Sequence, residues 1–373
     1  MTPEEKDIIS FLDIDSNLKK IAGKVFAAER ISADEAVELF LSGNPGLLAV
    51  LADTVKKRFN GNKVFFNHNF HIEPTNICVN HCKFCSYRRH KGQKGAWDLS
   101  IDEIVKKVTT HSATGANEVH IVGGVYPGRD VYYYAEMLRA IKQKEPQLHI
   151  KAFTAVEIDY MCKTAGVSIR EGLKNLKEAG LESMPGGGAE IFDEALRDKI
   201  CPDKTSSEKW LEIHQEAHEM GIPTNATMLY GLLEDYSHRA DHLNRLRKLQ
   251  DKTGGFNAFI PLKFRHANNA FSKIRETTLI EDLKNYAVSR IFLDNIPHLK
   301  AYWPMIGKQA ARLSLEFGVD DLDGTIDNST RIYTMAGSDE RPSASREELI
   351  QMIREMNRNP AERDSLYNVL ATF

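Results

Sequence analysis

The sequence predicts an α/β fold: a TIM-type (β/α) barrel, complete or partly open, with an N-terminal helical lead-in and a C-terminal helical cap. Three observations carry the expectation. From about residue 64, short apolar runs alternate with longer amphipathic segments, the pattern of βαβ units on a parallel sheet. Six or seven such units in succession suit one barrel better than two doubly wound domains. At 373 residues, with 42% hydrophobic and 27% charged residues, the chain has material for a large core and lacks the bias of disordered or repetitive proteins.

In chain order, residues 1–60 read as the helical lead-in. Ser32 with Glu35 forms a capping box ahead of Val37, Leu39, Phe40 and Leu41, and a second helical pattern follows Pro45. Residues 61–337 read as the barrel. Its strands are expected at Val64–Ile72, Glu118–Val122, His149–Thr154, Leu181–Met184, Thr224–Tyr230 and Ala258–Phe264, with a weaker one at Leu299–Trp303. Helices between them have recognisable starts: Ser100 with Glu103, Ser168, and Ser206, the last running to a stop at Gly221. Residues 338–373 return to a polar helical pattern and read as a cap packed on the barrel, with the Arg363-Asp364 pair placed to close its bottom.

Charge and composition narrow the function. Lys and Arg number 49 against 52 Asp and Glu, a net charge of −3, so no basic footprint for nucleic acid is present. No stretch approaches the roughly 18 apolar residues of a membrane span, and the start Met1-Thr-Pro-Glu-Glu-Lys6 lacks a secretory pattern. A cytoplasmic enzyme acting on a small molecule is the expectation. Five cysteines, an odd number in a long chain, argue against a disulfide framework.

Three of the five stand together as Cys78-Val-Asn-His-Cys82-Lys-Phe-Cys85, directly after the first barrel strand. Loops at that end of the strands are where barrel active sites form. Three thiolates can hold a 4Fe–4S cluster while leaving one iron without a protein ligand. The residues alone also allow a zinc ion with His81 or His90 as fourth ligand, or an iron–sulfur carrier or binding module without radical chemistry. Cys162 and Cys201 stand alone and read as inert thiols. The next loop on the same face carries Gly123 and Gly124, where backbone can approach a ligand closely.

The C-x3-C-x2-C spacing, with Phe84 before the third cysteine, resembles the radical S-adenosylmethionine superfamily. The similarity extends to the menaquinone-pathway branch, and within it to the aminofutalosine synthases. It runs through His71-Ile-Glu-Pro-Thr-Asn-Ile-Cys78, Lys151 to Ile158, Pro185 to Ile191, Phe259 to Phe264, Asp321 to Thr325 and Met335 to Gly337. The resemblance implies cluster ligation by Cys78, Cys82 and Cys85. It implies cofactor contacts from Phe84, Gly123 and Gly124, with Val125 standing where the family has an acid. Glu157 and Glu190, after strand-like segments, are candidates for the cofactor's ribose hydroxyls, with helix N-terminal capping as the alternative, and Arg197 is a candidate for its carboxylate. It further implies addition of the 5′-deoxyadenosyl radical to 3-[(1-carboxyvinyl)oxy]benzoate, giving 6-amino-6-deoxyfutalosine, methionine and bicarbonate. Adenosylmethionine is then a consumed cosubstrate, and an external flavodoxin- or ferredoxin-type donor supplies the electron. The dehypoxanthine futalosine cyclases are the alternative within the branch. A substrate with two carboxylates and an aromatic ring calls for cations and apolar walls. Lys263, Arg265 and His266, at the end of the sixth strand, are the expected clamp, with Arg331, His298 and Asn225 as weaker candidates. Leu232 departs from the His common at that position, so a polar role there is not expected.

Overall fold

The computed structural model describes residues 15–338 and 342–373. The first fourteen residues of the lead-in, including the Met1–Lys6 start, and residues 339–341 of the cap segment lie outside the described residues.

The lead-in forms three helices, α1 (Ser16–Phe26), α2 (Ala33–Ser42) and α3 (Pro45–Asn60). The capping box of Ser32 and Glu35 starts α2, and Asn44 with Pro45 starts α3. Such caps satisfy backbone N–H groups that have no partner inside the helix and are each worth about 1 kcal/mol. Leu39 and Phe40 are buried as expected, while Leu41 faces outward.

The first barrel strand is broken in two, β1 (Lys63–Asn67) and β2 (Asn69–Ile72). Then follow α4 (Ile101–Ser112), β3 (Glu118–Ile121), α5 (Val131–Lys144), β4 (His149–Ala152), α6 (Ala155–Ala165) and α7 (Ile169–Glu178). Next come α8 (Glu194–Ile200), α9 (Ser207–Glu219), β5 (Thr224–Tyr230), α10 (Tyr236–Thr253), β6 (Phe256–Lys263) and α11 (Leu279–Phe292). The described barrel is completed by β7 (His298–Leu299), α12 (Trp303–Ile306), α13 (Lys308–Ser314) and β8 (Asp321–Gly324). The parallel ladders run β2–β3–β4, β5–β6–β7 and β8–β1–β9, where β9 is Asn359–Arg363. Single bridges tie them: Lys151 to Ser183, Met184 to Thr224 and Lys300 to Asp321. This is the partly open form of the expected barrel.

Four local expectations change. Val64–Ile72 is split at His68, because residues on its two sides pair with different neighbours: Phe65 with Asp321 and Ala361, Phe70 with Val119. Leu181–Met184 is reduced to bridges at Ser183 and Met184, and the weak strand near Leu299 gives way to helix at Trp303. The C-terminal segment is helical only over α14 (Arg346–Arg354); β9 then joins β1 in parallel, and β10 (Val369–Thr372) runs antiparallel to β9 at the edge. Asn359-Pro-Ala-Glu-Arg363 does not look like a strand, since its charged residues suit burial only once tertiary partners neutralise them. Arg346 pairs with Glu362, and Arg363 Nε donates to Asp321 Oδ2 at 2.7 Å, both residues 0% exposed. Arg363 thus joins β9 to Asp321 on β8, and its Nη1 also donates to Asp364 O at 3.0 Å.

That pair generates a stability prediction. Arg363→Ala leaves Asp321 as an unmatched buried charge and is expected to lower unfolding stability by about 3–5 kcal/mol. Arg363→Met with Asp321→Asn should recover part of the loss, read from denaturant midpoints.

Candidate active site

A cavity of about 320 Å³ opens at the C-terminal ends of the barrel strands. Its rim is the loop that follows β2. Cys78, Cys82 and Cys85 are half-buried free thiols lining it. The loop is held from four sides: Cys78 N–H donates to Arg89 O at 3.2 Å, Val79 N–H to Val125 O at 2.9 Å, Lys83 N–H to Ile200 O at 2.8 Å, and Ala270 N–H to Lys83 O at 2.9 Å. The expected contribution of Gly123 and Gly124 gains a second physical reason here. A Cβ on Gly124 would lie 2.4 Å from Ile77 O, and one on Gly123 2.9 Å from Thr75 O. These glycines let the β3 loop press against the cysteine loop, and both also line the cavity.

Electrostatics at the rim depend on Lys204, which sequence reasoning missed. It is half-buried, pairs with Glu190, and its Nζ lies 5.4 Å from the centre of the Phe84 ring. Burial pushes the Cys82 thiol up to about 12, while Lys204 pulls it back toward the thiolate. Glu190 sits at a left-handed φ of 49°, a conformation that costs a non-glycine residue energy and is common at ligand sites. Glu157 completes the Thr154 capping box of α6 and also accepts from Gly123 N–H at 3.2 Å, so it ties α6 to the glycine loop. Burial raises its carboxyl to about 7.

Below the rim the cavity is two-sided. One wall is apolar and aromatic: Leu229, Ile260, Leu262, Phe264, Tyr302 and Tyr333. The floor is ionic, with Glu118, Lys151, Lys300 and Asp323 beside His71 and His120. Lys151 Nζ lies 2.6 Å from Glu118 Oε2, and Lys300 Nζ 2.6 Å from Asp323 Oδ1. Sequence reasoning missed this floor, although alternation in the strands held the signal. His71, His120 and Lys151 occupy matching positions on three neighbouring strands, and charged residues inside apolar strand patterns are unusual.

The structure brings some expected residues to the cavity and leaves others out. Phe84, Glu157, Glu190, Asn225, Lys263 and Arg265 line it. Lys263 is already bound to Thr277 O and Asp282, each at 2.8 Å, and Arg265 to Glu276 at 3.2 Å and Gly337 O at 3.0 Å. His266 is not among the cavity residues and pairs with Glu276, so the three do not form a joint clamp. Arg197 also lies off the cavity. Its guanidinium is taken up by the carbonyls of Ala189, Ile191 and Thr205, which leaves it a scaffold role. His298 stacks on Tyr367 at 3.6 Å, bound to Asp320, and Arg331 is exposed beside Trp97. Leu232 packs partly buried against the core, in keeping with no polar role. Cys162 and Cys201 are buried free thiols.

Residues 72–246 match the family model of the radical SAM superfamily, and residues 253–372 match that of the CofH/MqnC C-terminal region. The chain is also 45% identical to aminodeoxyfutalosine synthase of Thermus thermophilus, over 95% of this chain and 96% of that one. The chain belongs to the radical SAM superfamily. It is 36% identical to cyclic dehypoxanthine futalosine synthase of Streptomyces coelicolor, over 95% of this chain and 89% of that one. The crystal structure of the FeFe-hydrogenase maturase HydG from Carboxydothermus hydrogenoformans superposes with a TM-score of 0.74 at 18% identity, covering 98% of this chain and 84% of that one. That likeness supports the TIM-type fold of this radical SAM chain.

Superfamily members use a 4Fe–4S cluster and S-adenosylmethionine, and the donor set here fits both. Three free thiols line one cavity, and the half-buried Lys204 favours the thiolate of one of them. Among the described residues, no three His, Cys, Asp or Glu side chains converge on a single-ion site. A zinc ion needs its ligands about 2.0–2.3 Å from one centre, whereas a four-iron cluster takes each thiolate on a different iron. His81, one proposed fourth zinc ligand, bonds Asp203 at 2.9 Å on the exposed face. No described helix is long and apolar enough to cross a membrane.

The glycine packing generates a paired prediction. Gly124→Ala forces a Cβ into backbone and is expected to lower stability by about 1–3 kcal/mol. Gly23→Ala, in the interior of α1 with no described atom within 4 Å of the new Cβ, should raise it by up to about 1 kcal/mol. Thermal unfolding of the two variants measures both.

Proposed function

We propose that this chain is an aminodeoxyfutalosine synthase, joining the adenosyl group to the enol-ether carbon of 3-[(1-carboxyvinyl)oxy]benzoate. The observation that carries the reading is the 45% identity to the Thermus thermophilus synthase along essentially the whole of both chains. The cyclase alternative has the lower identity of 36%.

Cys78, Cys82 and Cys85 hold the cluster in this reading. Phe84, Gly123, Gly124, Glu157 and Glu190 line the adenosylmethionine end of the cavity. When bound, the cluster supplies one electron to the cofactor sulfonium and so generates the 5′-deoxyadenosyl radical, the electron coming from a flavodoxin- or ferredoxin-type donor. The chain's own share is placement and exclusion of competing reactions. The aromatic wall of Tyr302, Tyr333, Ile260 and Leu262 holds the substrate ring by apolar contact. Arg88 lines the cavity at the cysteine loop, bonded to His90 and with no acidic partner among the described residues. The other cavity cations all have carboxylate partners. Arg88 is therefore the group for the carboxylate of the enol ether, a task that the expected clamp of Lys263, Arg265 and His266 does not fill.

Two experiments test the reading. Mass spectrometry of the nucleoside formed from adenosylmethionine and the enol ether should show the adenosyl adduct; free 5′-deoxyadenosine in its place would refute the synthase reading. Cys78→Ala, Cys82→Ala and Cys85→Ala should each abolish reductive cleavage of adenosylmethionine and leave far-UV circular dichroism unchanged, because these side chains sit on a loop outside the core. Cleavage surviving in any of the three would contradict the ligand assignment.

A further inference from the structure

The cavity floor contains hydrogen-bonding capacity that the fold does not use. His71 on β2 and His120 on β3 are direct cross-strand partners, with ring centroids 4.6 Å apart, and both line the cavity. His71 is only 4% exposed, and Nε2 of each ring is buried with no hydrogen-bond partner among the described residues. Buried polar atoms without partners are costly and uncommon, so two on adjacent rings in one cavity mark a place that lacks its ligand's polar group.

The charges around the pair are already balanced. The groups facing it are Glu118 on β3, Lys151 on β4, Lys300 just after β7 and Asp323 on β8, with the phenol of Tyr302 at 6.2 Å from the His71 ring. Glu118 is matched by Lys151 and Asp323 by Lys300. Asp321 below is matched by Arg363. Burial holds both imidazoles neutral at pH 7, His71 pushed down to about 4 and His120 well below its ordinary value. A carboxylate entering this floor therefore meets two neutral rings and four cancelled charges. Alone it would be an uncompensated buried anion, which is strongly disfavoured. Arriving with a proton that settles on one ring, it forms a charge-assisted hydrogen bond and leaves the floor neutral.

We propose that His71 and His120 are the receptor for the ring carboxylate of the substrate, and that binding this carboxylate takes up one proton from solvent onto the histidine pair. The inference rests on the functional reading above. There, the carbon that receives the adenosyl group stays at the cysteine loop, so the ring and its carboxylate extend toward the floor. It makes the pair specificity-determining: an aryl ether without the ring carboxylate leaves both rings neutral. The sign of the pH effect follows. The free pair binds no proton near neutrality and the occupied pair binds one, so affinity falls as pH rises through the titration of the complex, about tenfold per pH unit.

The test is calorimetric titration of the cluster-loaded enzyme without reductant, at pH 7, in two buffers of different ionisation enthalpy. The ligands are 3-[(1-carboxyvinyl)oxy]benzoate and its phenyl counterpart lacking the ring carboxylate. Close to one proton taken up with the first and none with the second is the expected result. Equal uptake with both ligands would overturn the proposal on wild-type protein alone, independent of how any variant folds. His71→Gln and His120→Gln keep an amide donor but cannot hold the proton. Each should weaken the dicarboxylate at least tenfold and remove the pH slope, and wild-type affinity with wild-type uptake in both would overturn the assignment. Adduct formation without proton uptake sinks this inference alone, whereas absence of adduct from wild type sinks the functional reading and this inference with it.

Discussion

The interaction on which the rest of the structure depends is the buried charge network at the base of the barrel. Arg363 on β9 meets Asp321 on β8, Lys300 meets Asp323, and Lys151 on β4 meets Glu118 on β3. Three cations and three anions are taken out of water together. Each separated charge would cost several kcal/mol, so the strands that contribute them are forced into one arrangement. The network joins the C-terminal strand to the barrel and sets which residues face the cavity. It also leaves the floor electrically neutral, and that neutrality is why the two histidines matter.

The rim follows a different logic. The cysteine loop has little regular structure and is held by backbone hydrogen bonds from four separate segments and by two glycines that permit close approach. A loop held this way presents its thiols without placing them in the core. The site thus divides into a backbone-supported rim that carries the three thiols, an apolar and aromatic wall, and an ionic floor. The division matches a reaction in which the reactive carbon must be near the cofactor while the rest of the substrate is kept from solvent.

Much of this was legible in advance. The three cysteines, the paired glycines and the alternation of strands and helices are local patterns, and local patterns survive without knowledge of the fold. The capping boxes at Ser32 and Ser100 formed because a side chain three residues from its partner needs only the helix itself. The clamp of Lys263, Arg265 and His266 was less readable. Consecutive charged residues after a strand look like a site, but Asp282 and Glu276, distant enough in sequence to go unnoticed, occupy the first two. Arg197 is unavailable for a different reason: backbone carbonyls six to eight residues away, which a sequence pattern does not reveal as acceptors, take up its guanidinium.

By itself the sequence determined the barrel class, the position of the cysteine loop after the first strand, several helix starts and the chemistry three thiols can support. Only the tertiary structure decided which charges are spent and which are available. It showed that Lys204, Arg88, His71 and His120 belong to the cavity, that the C-terminal segment ends in strands, and that the first strand divides at His68. The physical reason is that a side chain's availability depends on its partners. Those partners lie on other strands, and although alternation marks which strand residues share a face, it does not say which charge compensates which across a barrel.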